Sequence, residues 1–265
     1  MCSRQAQKRS AERQLHDHWT QNDTLAYNIR VEYQDATTFF QSASLPLPLV
    51  DNLYHELLTL SNPDEASNDE VYTLLRTLDL ATTSPAGEES AVDDFAVNLF
   101  RMLGYAGRGR VALTRKAISL FICGEDRHVK TDVCILNNLD ILLLVQEDKR
   151  YLDGSDPETQ LIAEAIAAFR ANNDTRVRAL GQAPLERKVL PGITMKGTMP
   201  IFYKIPVTAA LVKAVQLGQY PAEETVVYAH LPEVPRPARR YSEGMRPLNN
   251  RQRILSYYEA FRRFI

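Results

Sequence analysis

Three apolar stretches follow one another with almost no chain between them: AISLFICGE (117–125), VKTDVCILN (129–137) and LDILLLVQEDK (139–149). The links, GEDRH and the Asn137–Asn138 pair, are short and rich in turn formers. Apolar runs of strand length joined this tightly predict a three-strand antiparallel meander. The third run then stops abruptly. Six of the seven residues from Leu139 to Val145 are apolar, and the next five are Gln146, Glu147, Asp148, Lys149 and Arg150.

Helices are expected on both sides of the meander. In EESAVDDFAVNLFRMLGY, Val92, Phe95, Leu99 and Leu103 fall on one helical face. Glu88, Glu89, Asp93 and Asp94 crowd its start, where carboxylates favour the helix dipole. Gly104 stands where a C-cap belongs. After the meander, Pro157 opens PETQLIAEAIAAFRAN (157–172), with Leu161, Ala165, Ala168 and Phe169 as its apolar face. Two strands (188–195 and 199–207), a helix (208–218) and a further strand (225–231) follow. The order from residue 87 is therefore α, β, β, β, α and then β-rich, and a mixed sheet flanked by helices is the natural result. Upstream, 26–45 reads as strand or extended chain, and 48–60 and 67–80 as helices. TTSPAG (82–87) is the best boundary. Downstream, EVPRPARRYSEGMRP (233–247) reads as a basic loop and 251–264 as an amphipathic helix.

Composition narrows the class. The net charge of −2 gives no global attraction to a polyanion, so any nucleic-acid contact must be a local basic patch. Three cysteines, Cys2, Cys123 and Cys134, are odd in number and not at metal-ligand spacing, which points to a reducing compartment, and Cys123 and Cys134, inside apolar segments, read as buried thiols. The five histidines are scattered. No P-loop occurs, and no apolar run approaches the roughly 18 residues of a membrane span. The expectation is an intracellular protein, nuclear or cytoplasmic, without a membrane partner.

Asp132, Glu147 and Lys149 have the residue types that phosphodiester hydrolysis uses. Two carboxylates can hold Mg²⁺, which prefers oxygen ligands and keeps several waters. The metal acidifies bound water and polarises the phosphoryl oxygen. A lysine beside them can orient that water or offset developing charge. In a strand, Glu147 and Lys149 share a face.

The segment resembles the PD-(D/E)XK, or restriction-endonuclease-like, nuclease superfamily. The resemblance rests on Asp132 in KTDVCIL, Glu147-Asp148-Lys149 in LLLVQEDK and the order α-β-β-β-α-β. With VDDFAVNLFRMLGY before it and QLIAEAIAAF after it, the chain is similar to fungal members of that superfamily over about residues 87–232. The resemblance implies an α/β core with a mixed sheet of about four strands, and Mg²⁺-dependent cleavage of nucleic acid, DNA ahead of RNA, with Mn²⁺ as a substitute metal. It implies Asp132 and Glu147 as metal ligands and Lys149 as the catalytic lysine. Glu89, or else Glu88, would come from the first core helix, and Gln160 from the helix after the motif. A homodimer is the expectation if both strands of a duplex are cut. One departure is Thr131, where the motif carries proline. The implied organisation is a mainly helical N-terminal region (1–83), a nuclease-like core (84–232), and a basic loop with a C-terminal helix packed on it (233–265).

Ordinary readings stand beside these. An Asp, a gap and Glu-x-Lys also describe a surface turn with an ion pair, which contributes little. Asp148 reads as a solvated or ion-paired residue rather than a ligand. Arg150, Arg239 and Arg240, with Arg251, Arg253, Arg262 and Arg263, are candidate phosphate contacts, Tyr241 a candidate stacking group, and a solvated face their plain alternative. The rival to an enzyme is the same fold without catalysis, binding nucleic acid or a protein. A third alternative is an interaction protein whose N-terminal third carries the binding.

Overall fold

The meander folds as the spacing predicts. A computed structural model describes residues 19–46, 52–83, 90–138, 140–148 and 156–265. Within them, β2 (Arg110–Ile122), β3 (Glu125–Asn137) and β4 (Asp140–Glu147) pair antiparallel in sequence. Cys123 and Gly124 alone join β2 to β3, and both have positive φ, as a two-residue hairpin turn requires.

Before β2 come α1 (Gln21–Ala26), β1 (Ile29–Tyr33), α2 (Ala36–Phe40), α3 (Asn52–Thr59), α4 (Asp69–Thr83) and α5 (Ser90–Met102). After β4 come α6 (Pro157–Arg178), β5 (Arg187–Lys196), β6 (Met199–Thr208), α7 (Ala209–Leu217), β7 (Thr225–His230), α8 (Arg240–Glu243) and α9 (Leu248–Phe261). The protein is thus α/β, with one mixed sheet in the order β1-β7-β6-β5-β4-β3-β2. Among the described residues the sheet has seven strands where a core of about four was expected. The extra ones arise because β6 and β7 continue the sheet beyond β5, and β1, from the N-terminal region, pairs parallel with β7. The pairing that matters most is β4 with β5. It is parallel, so α6 must carry the chain back across the sheet.

Each face of the sheet is covered. Val133, Ile135, Leu143, Val145, Ile193 and Met195 pack on the face shared with α4, α5 and α9. Cys134, Leu144, Leu190 and Ile205 pack on the face shared with α6 and α7. In α5 the expected stripe Val92, Phe95, Leu99 and Leu103 is buried, and Gly104 follows with φ +67° as the helix-ending residue. The α6 helix departs from a one-sided stripe. Asp156 caps it, Pro157 opens it, and Pro157 and then every residue from Thr159 to Phe169 are buried. The cause is a second layer: Trp19, Tyr27 and Ile29 share its core, and the Thr159 hydroxyl donates to the Trp19 carbonyl at 2.8 Å. Four alanines within that stretch keep the helix thin enough to be enclosed. Farther along, the Asn172 amide accepts from Ile141 N–H (2.8 Å) and donates to Ile141 C=O (2.9 Å), pinning α6 to the start of β4.

The basic C-terminal segment is more ordered than the loop expected there: a 3₁₀ turn at Pro237–Arg239 runs into α8. Arg251 is no phosphate contact. It is 1% exposed and donates to the carbonyls of Leu57, Leu60, Met245 and Arg246 at 2.7–3.2 Å. It therefore ties α9 to the end of α3. No helix among the described residues is long and apolar enough to cross a membrane.

Burial pulls Arg251 down to about 10, with Asp79 opposing, so it stays charged at neutral pH. Arg251→Met would strand four carbonyls. We expect a loss of about 3 kcal/mol in urea unfolding, since a hydrogen bond to a charged group is worth about 1.5–3 kcal/mol. His230 supplies a second test. It is 2% exposed, packed among Phe39, Phe40 and Tyr257, and burial holds its imidazole below the ordinary value of 6.5. The unfolded imidazole takes its proton first as pH falls. Stability should therefore be full above about pH 6.5 and decline below it. A His230→Phe protein should lose the part of that slope lying just below pH 6.5.

Candidate functional site

Strands β3 and β4 part at one end, and Asp132 and Glu147 stand where they part. Pairing runs as far as Val133 opposite Val145 and then stops. There the Asp132 carboxylate takes the place of the next rung: Glu147 N–H donates to its Oδ2 at 2.8 Å. Thr131, buried one residue earlier, places its hydroxyl 2.9 Å from the Val133 carbonyl and 3.2 Å from the Val145 carbonyl. Thr131 therefore holds the last rungs together. On the other flank Arg115 falls opposite Asp132, between the Lys116–Thr131 and Thr114–Val133 rungs, with left-handed backbone (φ +54°). The sheet is thus irregular on both sides of Asp132, which is 7% exposed.

Alternation explains why this irregularity matters. Asp132 would follow Cys134 onto the α6 face, and Glu147 would follow Val145 onto the α5 face. The broken rung lets Asp132 reach the Glu147 backbone in spite of that. The contact is with the Glu147 amide, not its carboxylate. Gln160 is buried in the first turns of α6. Lys149, Arg150, Glu88 and Glu89 lie outside the described residues. Arg239 and Arg240 sit on the exposed C-terminal segment. Arg239 pairs with Glu243 at 3.4 Å, and Arg240 donates to the Pro237 carbonyl. Asp132 and Glu147 are hard oxygen donors of the kind that suits Mg²⁺, but strand alternation sends their carboxylates to opposite faces of the sheet. Among the described residues no three His, Cys, Asp or Glu side chains converge as a metal site.

A second cluster went unnoticed in the sequence. A cleft of about 120 Å³ opens at the carboxyl ends of β4 and β5, beside the N-terminus of α6. Asp148, Asp156, Glu158, Thr194, Lys196, Tyr203, Tyr33 and Tyr241 line it. Asp148, read as solvated or ion-paired, is therefore a wall of this cleft, and its N–H donates to the Met195 carbonyl at 2.7 Å. The Tyr33 and Tyr203 hydroxyls both donate to Glu158 Oε2, at 2.9 and 3.0 Å. Burial, followed by the Glu158 charge, pushes both phenols well above their ordinary range, so they remain donors. The available signal was topological: crevices form at the carboxyl ends of parallel strands flanked by a crossover helix.

On the α6 face, burial pushes the Cys134 thiol up to about 12, with Lys116 opposing and Glu164 adding to the rise. It is an inert core thiol, whereas Cys123, also expected to be buried, is exposed because it forms the β2–β3 turn. No protein-family model matches the chain, and no curated protein matches it either.

The rung made by Asp132 separates structure from chemistry. Asp132→Asn keeps an acceptor for Glu147 N–H and should unfold near wild type. Asp132→Ala leaves that amide without its acceptor and should cost about 1–3 kcal/mol in the same urea titration.

Proposed function

We propose that the chain is a Mg²⁺-dependent nuclease of the restriction-endonuclease-like kind, hydrolysing phosphodiester bonds of DNA or RNA. The observation that carries the reading is the order α5-β2-β3-β4-α6-β5, with β5 parallel to β4 and Asp132 standing where β3 and β4 part. That order is the one the sequence resemblance calls for.

Asp132 and Glu147 would hold the metal. A bound Mg²⁺ supplies Lewis acidity and a more acidic water. The chain's own groups do the rest. Glu147 N–H fixes the Asp132 carboxylate, so one ligand is oriented before substrate arrives. Lys149 would place its ammonium beside the attacking water or the developing phosphoryl charge. Glu89 and Gln160 would add polar contacts from the flanking helices.

A second reading is the same fold as a binding module without catalysis. The Asp132 bond favours it in one respect, because closing a broken rung is reason enough for a buried aspartate.

The test is cleavage of labelled single- and double-stranded DNA and RNA in Mg²⁺, Mn²⁺ and EDTA. Metal-dependent cutting should fall by about 10²–10³-fold in Lys149→Ala and Glu147→Gln, the scale for removing one electrostatic stabiliser. Mn²⁺ should also raise the thermal midpoint of wild type and not of Glu147→Gln, because a ligand of the folded state adds stability. A folded protein that cuts nothing and ignores Mn²⁺ would leave the binding module.

A further inference from the structure

The basic segment after β7 is docked on the end of β5, beside the candidate site. Lys196 closes β5, and its ammonium lies 5.0 Å from the Tyr241 ring centroid. Two residues on, the Thr198 hydroxyl accepts from Met245 N–H at 2.9 Å. Met195 in β5 stands opposite Glu147 in β4, so the segment flanks the strand end that carries Glu147. Met245 is buried in the core on the α5 face, the face to which alternation sends the Glu147 side chain.

The segment is exposed yet held in one shape. Pro235 and Pro237 fix φ on either side of Arg236. Gly244 has φ +49°, and a Cβ there would collide with the Thr198 hydroxyl, so only glycine fits. Asn250 Nδ2 donates to the Gly244 carbonyl at 3.0 Å.

Its charge is in excess. The side chains of Arg236 and Arg239 are 56% and 70% exposed, and both reach the one Glu243 carboxylate, at 3.3 and 3.4 Å. Arg240 donates to the Pro237 carbonyl. Three guanidinium groups thus share a single carboxylate, in exposed pairs that exchange partners at little cost. Arg246 is matched by Asp79 at 3.7 Å and adds nothing to the excess. The arginines of the last helix are otherwise engaged: Arg253 and Arg263 lie over the Tyr257 and Phe264 rings, and Arg262 faces Glu259. Tyr241, 43% exposed, directly follows Arg240. Guanidinium groups bind phosphate through paired hydrogen bonds, and an aromatic ring beside them can stack on an unpaired base.

We propose that Arg236, Arg239, Arg240 and Tyr241 form the surface that holds a single-stranded nucleic acid beside the end of β4, the arginines on its phosphates and Tyr241 against a base. An acidic protein segment would satisfy the arginines but leave Tyr241 without a stacking partner. The proposal rests on the nucleic-acid part of the function proposed above and not on cleavage.

The experiment is fluorescence anisotropy of a labelled deoxythymidine oligomer with the full chain in EDTA, over a series of salt concentrations. Replacing Arg236, Arg239 and Arg240 together by Gln should reduce the slope of log K against log[salt] by about 2, at about 0.7 for each phosphate contact on a single strand. Tyr241→Ala should weaken binding about 10-fold or more, while Tyr241→Phe retains it. A charge-matched control replaces Arg176, Arg178 and Arg187, at the far end of α6 and the start of β5, by Gln and should leave the slope unchanged. An equal loss in both triple variants, no response to Tyr241→Ala, or no binding at all would overturn the proposal. Displacement of the oligomer by poly-glutamate at equal charge concentration would overturn it in favour of an acidic protein partner. Metal-dependent cleavage that is indifferent to the Arg236, Arg239 and Arg240 substitutions would overturn it while leaving the nuclease standing. Binding that depends on these residues without any cleavage would support it and remove only the catalysis.

Discussion

Strand β4 pairs antiparallel with β3 on one side and parallel with β5 on the other. The change of direction needs a crossover, and α6 supplies it. Because α6 runs back from the carboxyl end of β4, its capped N-terminus lies beside the ends of both parallel strands. Asp148, Lys196, Asp156 and Glu158 meet there for that reason. On the other side of β4, the meander ends before the strand does, and Asp132 closes the gap. Both candidate sites are therefore consequences of how a single strand is paired.

The two ends of this arrangement are held by different means. Asn172 fixes the beginning of β4 to α6 through both backbone groups of Ile141. Its other end is held to β5 by the Asp148 N–H and to β3 by Asp132. A carboxylate in a sheet ladder is a polar group placed where only backbone is expected. Its burial is tolerated because a backbone donor faces it. The same rule governs Arg251, whose charge is surrounded by carbonyls, and it makes that residue a structural tie between α9 and α3.

Much of the fold was legible in the sequence because its signals are local. Tight turns announced the meander, Gly104 the end of α5, and Pro157 the start of α6. What escaped was set by distant partners. Nothing near Ile29–Tyr33 signals parallel pairing with β7. An arginine in an amphipathic helix reads as surface until the carbonyls of Leu57 and Leu60 are brought to it. Of the candidate site, Asp132 and Glu147 were readable as residue types, yet their contact depends on the rung missing between β3 and β4. Asp148 and Lys196 were not readable together, since 47 intervening positions and a crossover helix separate them in sequence.

The central claim is that Asp132 and Glu147 together hold a divalent metal. Anomalous diffraction from crystals soaked in Mn²⁺ tests it directly. The account predicts a peak bonded to both carboxylates, absent in crystals of Glu147→Gln. A peak elsewhere, or none at metal concentrations that stabilise the folded protein, would contradict it.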